Sequence, residues 1–173
     1  LGKVPYLKTA HGTLCESSVM LEYIEQAHPA QPLMPKDPFA AAKVRELMTF
    51  LDLHLELVAR NLYPEAFFGG KVSDSTKEKV GAQLEKNVAA FATLVAFKPF
   101  IAGSEMTLAD CTAAVHLPLI TAVSKTIYGR DFLADLPVKE YMKMWSERPS
   151  MQRVHAERKA SHELFMTRMK SKA

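Results

Sequence analysis

Residues 2–18 read GKVPYLKTAHGTLCESS and predict two short strands followed by the start of a helix. Val4–Thr9 is rich in residues that suit an extended strand, His11-Gly12 is a turn signal, and Thr13-Leu14 begins a second strand. Glu16 and the serines after it suit a helix N-terminus, and apolar residues follow at helical spacing. The opening of the chain therefore predicts a β-hairpin that leads into one helix.

Beyond that helix, the sequence changes to helical patterning throughout. Residues 29–38 contain four prolines and no glycine, which predicts a stiff linker. Charged residues such as Asp52, Glu56 and Arg60 lie mostly away from the apolar side of the first helix after the linker. Pro64 and Gly69-Gly70 are predicted to break that helix. Apolar residues at helical spacing predict helices over 39–62, 75–97, 107–128, 137–147, 150–158 and 161–170.

These patterns predict a mainly α protein with a small mixed segment at its start. The composition of the 173 residues suits a globular fold, because 48% are hydrophobic and 24% are charged. We expect residues 1–28 to form the mixed segment, residues 29–38 to be the linker, and residues 39–173 to form a bundle of five or six helices.

Charge, hydropathy and cysteine content exclude several classes of function. The net charge of +3 is too small to indicate a nucleic-acid partner, and the apolar runs are too short to span a membrane. Cys15 and Cys111 lack the spacing of metal ligands, so no metal is expected. Two isolated cysteines also favour a reducing compartment, which predicts a cytoplasmic location.

Two places near the start of the chain could bind a small molecule. Backbone N–H groups at the helix start, together with the Ser17 hydroxyl, could hold a carboxylate, while Glu16 could hold an ammonium group. The alternative is an ordinary N-cap with an acidic first turn, which composition alone favours. If the Val4–Pro5 bond is cis, the backbone of Val4 can face a ligand. Since only about 5–6% of such bonds are cis, composition alone favours trans.

Other polar residues are predicted to be structural. Thr107 and Asp110 have the spacing of a capping box at the start of the most apolar helix, so Asp110 is not expected to be catalytic. Histidines on apolar helices and isolated cysteines are more often packing residues than reactive ones. That reasoning predicts core or interface positions for His54, His116, Cys15 and Cys111.

Four segments in this order resemble the glutathione S-transferase family of bacterial type. They are Val4-Pro5-Tyr6-Leu7, Glu16–Ile24, Pro32-Leu33-Met34-Pro35 and Phe100–Asp110. The resemblance covers essentially the whole chain. It implies an all-helical C-terminal domain preceded by the last β-β-α part of a thioredoxin-like domain, so that the chain starts inside that domain. The family's thiol-activating Tyr, Ser or Cys is then expected upstream, and no catalytic residue is assigned here.

The resemblance also implies a glutathione site and a reaction. Val4 would pair its backbone with the cysteinyl part of glutathione beside a cis Pro5. Glu16 and Ser17 would hold the γ-glutamyl group, and Lys3 would approach the glycyl carboxylate. The implied enzyme adds the thiolate of glutathione, its co-substrate, to a small apolar electrophile, without a metal.

The electrophile would bind beside Tyr63 and Phe67, for which ordinary packing is an equally good interpretation. The resemblance further implies a homodimer formed through the first two bundle helices, with no nucleic-acid or membrane partner. The alternative is a regulator like stringent starvation protein A, which has this fold, associates with RNA polymerase and lacks transferase activity. A third interpretation is a non-catalytic glutathione-binding or structural protein of the same fold.

Overall fold

The computed structural model describes residues 4–170 and confirms a mainly α architecture. A two-stranded sheet comes first, with β1 at Leu7–Thr9 and β2 at Gly12–Leu14. Eight α-helices, one π-helical segment and one 3₁₀ turn follow among the described residues, and the chain divides after Leu136 into two compact units. The predicted linker at 29–38 falls inside the first unit, and its role as a boundary between family domains stays a prediction.

The β-hairpin and α1 form as the sequence predicts. β1 and β2 pair antiparallel, with Leu7 opposite Leu14 and Thr9 opposite Gly12. Gly12 has a φ of 135°, which a residue with a side chain rarely adopts, so the turn depends on glycine. Helix α1 then covers Ser17–Ala27 and ends at the predicted proline boundary.

A helical path from Pro38 to Phe68 forms the first side of the bundle. It consists of α2 (Pro38–Phe50), a π-helical segment (Leu51–Glu56), α3 (Leu57–Ala59), a 3₁₀ turn (Arg60–Leu62) and α4 (Tyr63–Phe68). The predicted break at Pro64 was wrong. This proline lies in the first turn of α4, where its missing N–H needs no partner. The predicted break at Gly69-Gly70 is confirmed, because the path ends at Gly69 in the left-handed conformation.

Helices α5 (Asp74–Ala92) and α6 (Leu108–Tyr128) complete the first unit. Helix α6 is the central element, because it contacts α1, α2, α4 and the π-helical segment. The predicted capping box at its start is confirmed. The core between these helices is built from fully buried apolar side chains, which include Leu51, Leu55, Leu62, Leu84, Phe91, Ala113, Leu117 and Ile120.

The second unit contains α7 (Val138–Ser146) and α8 (Pro149–Lys170). In this unit, the Tyr141 and Trp145 rings lie 6.1 Å apart, and the Arg148 guanidinium lies 5.2 Å from the Trp145 ring centre. The prediction of two helices over 150–158 and 161–170 was wrong, since one helix covers both. The residues between them include no proline or glycine that would end a helix.

Candidate functional site

The segment that carries the predicted ligand residues is open to solvent. The Val4–Pro5 peptide bond is cis, as the family resemblance implied and contrary to the expectation from composition. Val4 is 81% exposed. Pro5, Glu16 and Ser17 are exposed as well, so ligand can reach each of them. Lys3 lies outside the described residues.

Glu16 adopts a backbone conformation that side chains disfavour. Its φ is 68° and its ψ is 119°, and such a conformation costs about 1–3 kcal/mol in a residue with a side chain. Glu16 occupies the N-cap position of α1, but its side chain makes no capping hydrogen bond. The structure therefore differs from the interpretation of an ordinary N-cap with an acidic first turn, because no side chain caps this helix start and its first turn holds no acidic residue.

A hydrogen-bonded chain ties the first turn of α1 to the helical layer. The Ser18 hydroxyl donates to Asp52 Oδ2 at 2.8 Å, and His116 Nε2 lies 2.8 Å from Asp52 Oδ1. Burial alone would raise the pKa of the Asp52 carboxyl, but the hydrogen bonds from His116 and Ser18 outweigh burial and lower that pKa. The ionised carboxylate accepts a hydrogen bond from each partner, which fixes the His116 tautomer with its proton on Nε2.

His116 is half-buried, which is less than a core position would give. Of its two ring nitrogens, Nε2 contacts Asp52. Its Nδ1 is buried and has no hydrogen-bond partner among the described residues. The ring borders a cavity of about 330 Å³ between β1, α1 and α6, which Ser17 also borders. Most of the remaining lining is apolar, and it includes Met20, Leu21, Ile24 and Val115.

The two cysteines are less buried than predicted, and His54 lies outside the core, whereas its alternative position at an interface stays a prediction. Cys111 is half-buried and borders this cavity, whereas Cys15 is exposed. Strand β2 ends at Leu14, so the alternation of the strand no longer decides where the Cys15 side chain lies. His54 is also exposed, with its ring 4.8 Å from the Phe50 ring.

Tyr63 and Phe67 lie on α4 and do not border the cavity that Ser17 borders. Their ring centres are 5.1 Å apart in an edge-on arrangement. The Tyr63 hydroxyl donates to Glu56 Oε1 at 3.0 Å. Burial raises the pKa of the Tyr63 phenol, and the negative charge of Glu56 raises it further.

Glu56 is a charged residue that the sequence pattern misplaced. Its side chain is buried, although the pattern puts it away from the apolar side of the helix. Arg60 forms two hydrogen bonds with it, from Nε to Oε1 at 3.0 Å and from Nη2 to Oε2 at 2.7 Å. The spacing of an acid four residues before an arginine was the available signal for this pair.

The described part of the chain was compared with two requirements, a cluster of metal ligands and a helix long enough to span a membrane. Among the side chains that the structure describes, His, Cys, Asp and Glu form no group of three or more that could hold a metal ion. Among the helices of the described part, none has the length and apolar run needed to cross a membrane.

Comparison with known proteins gives the family. The family model "Glutathione S-transferase, N-terminal domain" matches residues 1–32. A relative from Pseudomonas putida, named Glutathione S-transferase, is 45% identical over 174 residues, covering 98% of this chain and 78% of the relative. This chain therefore belongs to the glutathione S-transferase family.

Two further matches are more distant. A stringent starvation protein A homologue from Pasteurella multocida is 30% identical over 151 residues, covering 86% of this chain and 66% of that protein. The crystal structure of a glutathione transferase homologue from Sulfitobacter, with bound glutathione, has a TM-score of 0.60 and 25% identity. That match covers 90% of this chain and 74% of the Sulfitobacter chain.

Proposed function

We propose that this protein is a glutathione transferase that adds the glutathione thiolate to a small apolar electrophile. The observation that carries the proposal is the start of α1. There, Glu16 holds a disfavoured backbone conformation and its carboxylate does not cap the helix. Strain of this kind persists where the surroundings enforce it, and such sites are often functional. The 45% identical transferase and the Sulfitobacter homologue with bound glutathione support the same conclusion.

The γ-glutamyl group of glutathione would bind at this helix start. Its carboxylate would accept hydrogen bonds from the Ser17 hydroxyl and from backbone N–H groups of the first turn, where the helix dipole favours an anion. Its ammonium group would pair with Glu16, whose carboxylate is exposed. The bond from Ser18 to Asp52 would hold that turn in position.

The remaining parts of glutathione would extend toward the hairpin. The backbone of Val4, beside Pro5, would pair with the cysteinyl part, and Lys3 would approach the glycyl carboxylate. We place the thiol-activating residue upstream of Val4, as in the family. Residues 1–28 would then be the end of the glutathione-binding domain, followed by the linker 29–38 and the helical domain.

Three further points belong to the same proposal. The electrophile would contact Tyr63 and Phe67, whose aromatic rings suit apolar molecules. Two copies would associate through the first bundle helices, on whose surface Leu53 and Leu57 are exposed. Two cysteines far apart in sequence, with no pattern of a disulfide framework, suit the reducing conditions of the cytoplasm.

The experiment is a calorimetric titration of glutathione into the full-length protein. The variant Glu16→Ala/Ser17→Ala is expected to abolish binding, because it removes the groups that hold the ammonium and the carboxylate. Glu46→Ala is the matched control, since it removes an exposed carboxylate of α2 that pairs with Lys43. No binding to the parent protein would contradict the proposal.

The regulator related to stringent starvation protein A is the second candidate, supported by the 30% identity to the Pasteurella homologue. It is less supported than the transferase, whose relative is 45% identical over more of the chain. If the parent protein binds no glutathione and captures RNA polymerase in a binding assay with purified components, the regulator becomes the better conclusion.

A further inference from the structure

Glu56 is a buried carboxylate to which the glutathione site assigns no role. Its side chain is 6% exposed, whereas that of its partner Arg60 is 52% exposed. Its Oε1 accepts hydrogen bonds from both Arg60 Nε and the Tyr63 hydroxyl, and its Oε2 accepts from Arg60 Nη2. A carboxylate buried to this degree is stable only when it is paired, so the three side chains form one unit.

This unit decides which part of Tyr63 an electrophile can reach. The hydroxyl points to Glu56, while the ring meets the ring of Phe67, which is 40% exposed. A phenol has one proton to donate, and Glu56 accepts it. An electrophile at this aromatic pair therefore meets ring surface and phenol lone pairs but no available hydroxyl proton.

The chemistry of the electrophile makes this difference matter. When a thiolate displaces chloride from an activated aryl chloride, a C–S bond forms and chloride leaves with the electron pair, so no proton is needed. When a thiolate opens an epoxide, a C–S bond forms and the C–O electron pair stays on oxygen as an alkoxide. A nearby proton donor lowers the barrier of the second reaction.

We propose that Glu56 is a specificity-determining residue that withholds the Tyr63 hydroxyl proton, so that the enzyme favours aryl halides over epoxides. This inference rests on the proposed transferase function and on the binding of the electrophile beside Tyr63. Glu56 acts through Tyr63 and is a positioning residue. In its absence, Tyr63 can donate its proton to the epoxide alkoxide and regain one from water.

The test compares kcat/KM for 1-chloro-2,4-dinitrobenzene and for styrene oxide, with glutathione saturating, in the full-length protein. Glu56→Met removes the acceptor, keeps the side chain's length and leaves Arg60 free to reach solvent. We expect kcat/KM for the epoxide to rise about tenfold or more, while that for the aryl chloride stays within about twofold. Glu56→Gln keeps an acceptor for the hydroxyl and is expected to leave the ratio unchanged.

Tyr63→Phe supplies the second arm of the test. In the parent protein it should leave the ratio of the two kcat/KM values unchanged, because the hydroxyl proton is already donated to Glu56. In the Glu56→Met background it should remove the gain with the epoxide. A fall in kcat/KM for the epoxide relative to that for the aryl chloride on Tyr63→Phe alone would overturn the inference, even if Glu56→Met fails to fold.

The outcomes separate this inference from the proposed function. Turnover of the aryl chloride with an unchanged ratio in Glu56→Met overturns the role of Glu56 and leaves the transferase function standing. No glutathione binding and no turnover of either electrophile overturns both. Ultraviolet titration provides a readout that does not depend on activity. The titration that disappears in Tyr63→Phe is that of the Tyr63 phenol. This phenol should ionise at lower pH in Glu56→Met than in the parent, because Glu56 no longer raises its pKa.

Discussion

Helices α1 and α6 begin in opposite ways. At α6, Asp110 is fully buried and accepts hydrogen bonds from Thr107 N at 2.8 Å and from the Thr107 hydroxyl at 3.1 Å. It also accepts one from Ile101 N at 2.9 Å. At α1, the Glu16 side chain makes no capping bond and the backbone is strained. A helix start that is capped by a carboxylate of its own first turn serves stability, whereas an exposed start that no side chain caps is suited to a ligand.

The largest loss of stability should come from removing the cap at the start of α6. Asp110→Ala would leave three buried donors without their acceptor, so we expect a loss of roughly 2–4 kcal/mol in the free energy of unfolding. Urea unfolding measures this loss. Glu105→Ala, on the same loop but exposed, is the control and should change stability by less than about 0.5 kcal/mol. An Asp110→Ala protein of parental stability would contradict the structural role of this cap.

The comparison also shows what the sequence could predict. The capping box at α6 is local, because Thr107 and Asp110 are three residues apart, and its spacing predicted both the bond and its structural role. The β-hairpin and α1 are equally local. The helix over 107–128 agrees with the structure to within one residue at its start, since its apolar pattern is strong.

The uncapped start of α1 could not be predicted from residue types alone. Composition favoured an ordinary cap, and the φ of Glu16 depends on how the hairpin enters α1. Asp52 was equally hidden, because its partners Ser18 and His116 lie 34 and 64 residues away in sequence. The cis bond before Pro5 was indicated by the family resemblance and not by composition.

A smaller loss of stability should come from changing Asp52, whose hydrogen bond with Ser18 supports the first turn of α1. Asp52→Asn removes the charge that Ser18 and His116 stabilise, so we expect a loss of about 1–2 kcal/mol in the free energy of unfolding at pH 7. Because the folded pKa of Asp52 is lowered, its contribution is present above the unfolded-state value of about 4 and is lost as pH falls through the folded value.

The pH dependence gives this prediction its control. Urea unfolding between pH 3 and 7 should show the difference between parent and Asp52→Asn shrinking below about pH 4. Glutathione affinity should fall in the same variant, because Ser18 no longer holds the first turn of α1. A stability difference that stays constant over the whole pH range would contradict the role assigned to the carboxylate.

The smallest effect on stability should be a gain, at Glu16 itself. Glycine accepts a positive φ without steric cost, so Glu16→Gly removes strain of about 1–3 kcal/mol and adds about 0.5–1 kcal/mol of backbone entropy cost. We expect the free energy of unfolding to rise by about 1 kcal/mol while glutathione binding weakens at least about tenfold, through loss of the partner of the ammonium group.

Glu16→Gln keeps the backbone strain and removes only the charge, so it should weaken binding without the gain in stability. Opposite changes in stability and affinity would show that the strained residue is held in place for binding. If Glu16→Gly instead lost both, the open start of α1 would be structural like that of α6, and the contrast between the two helices would fail.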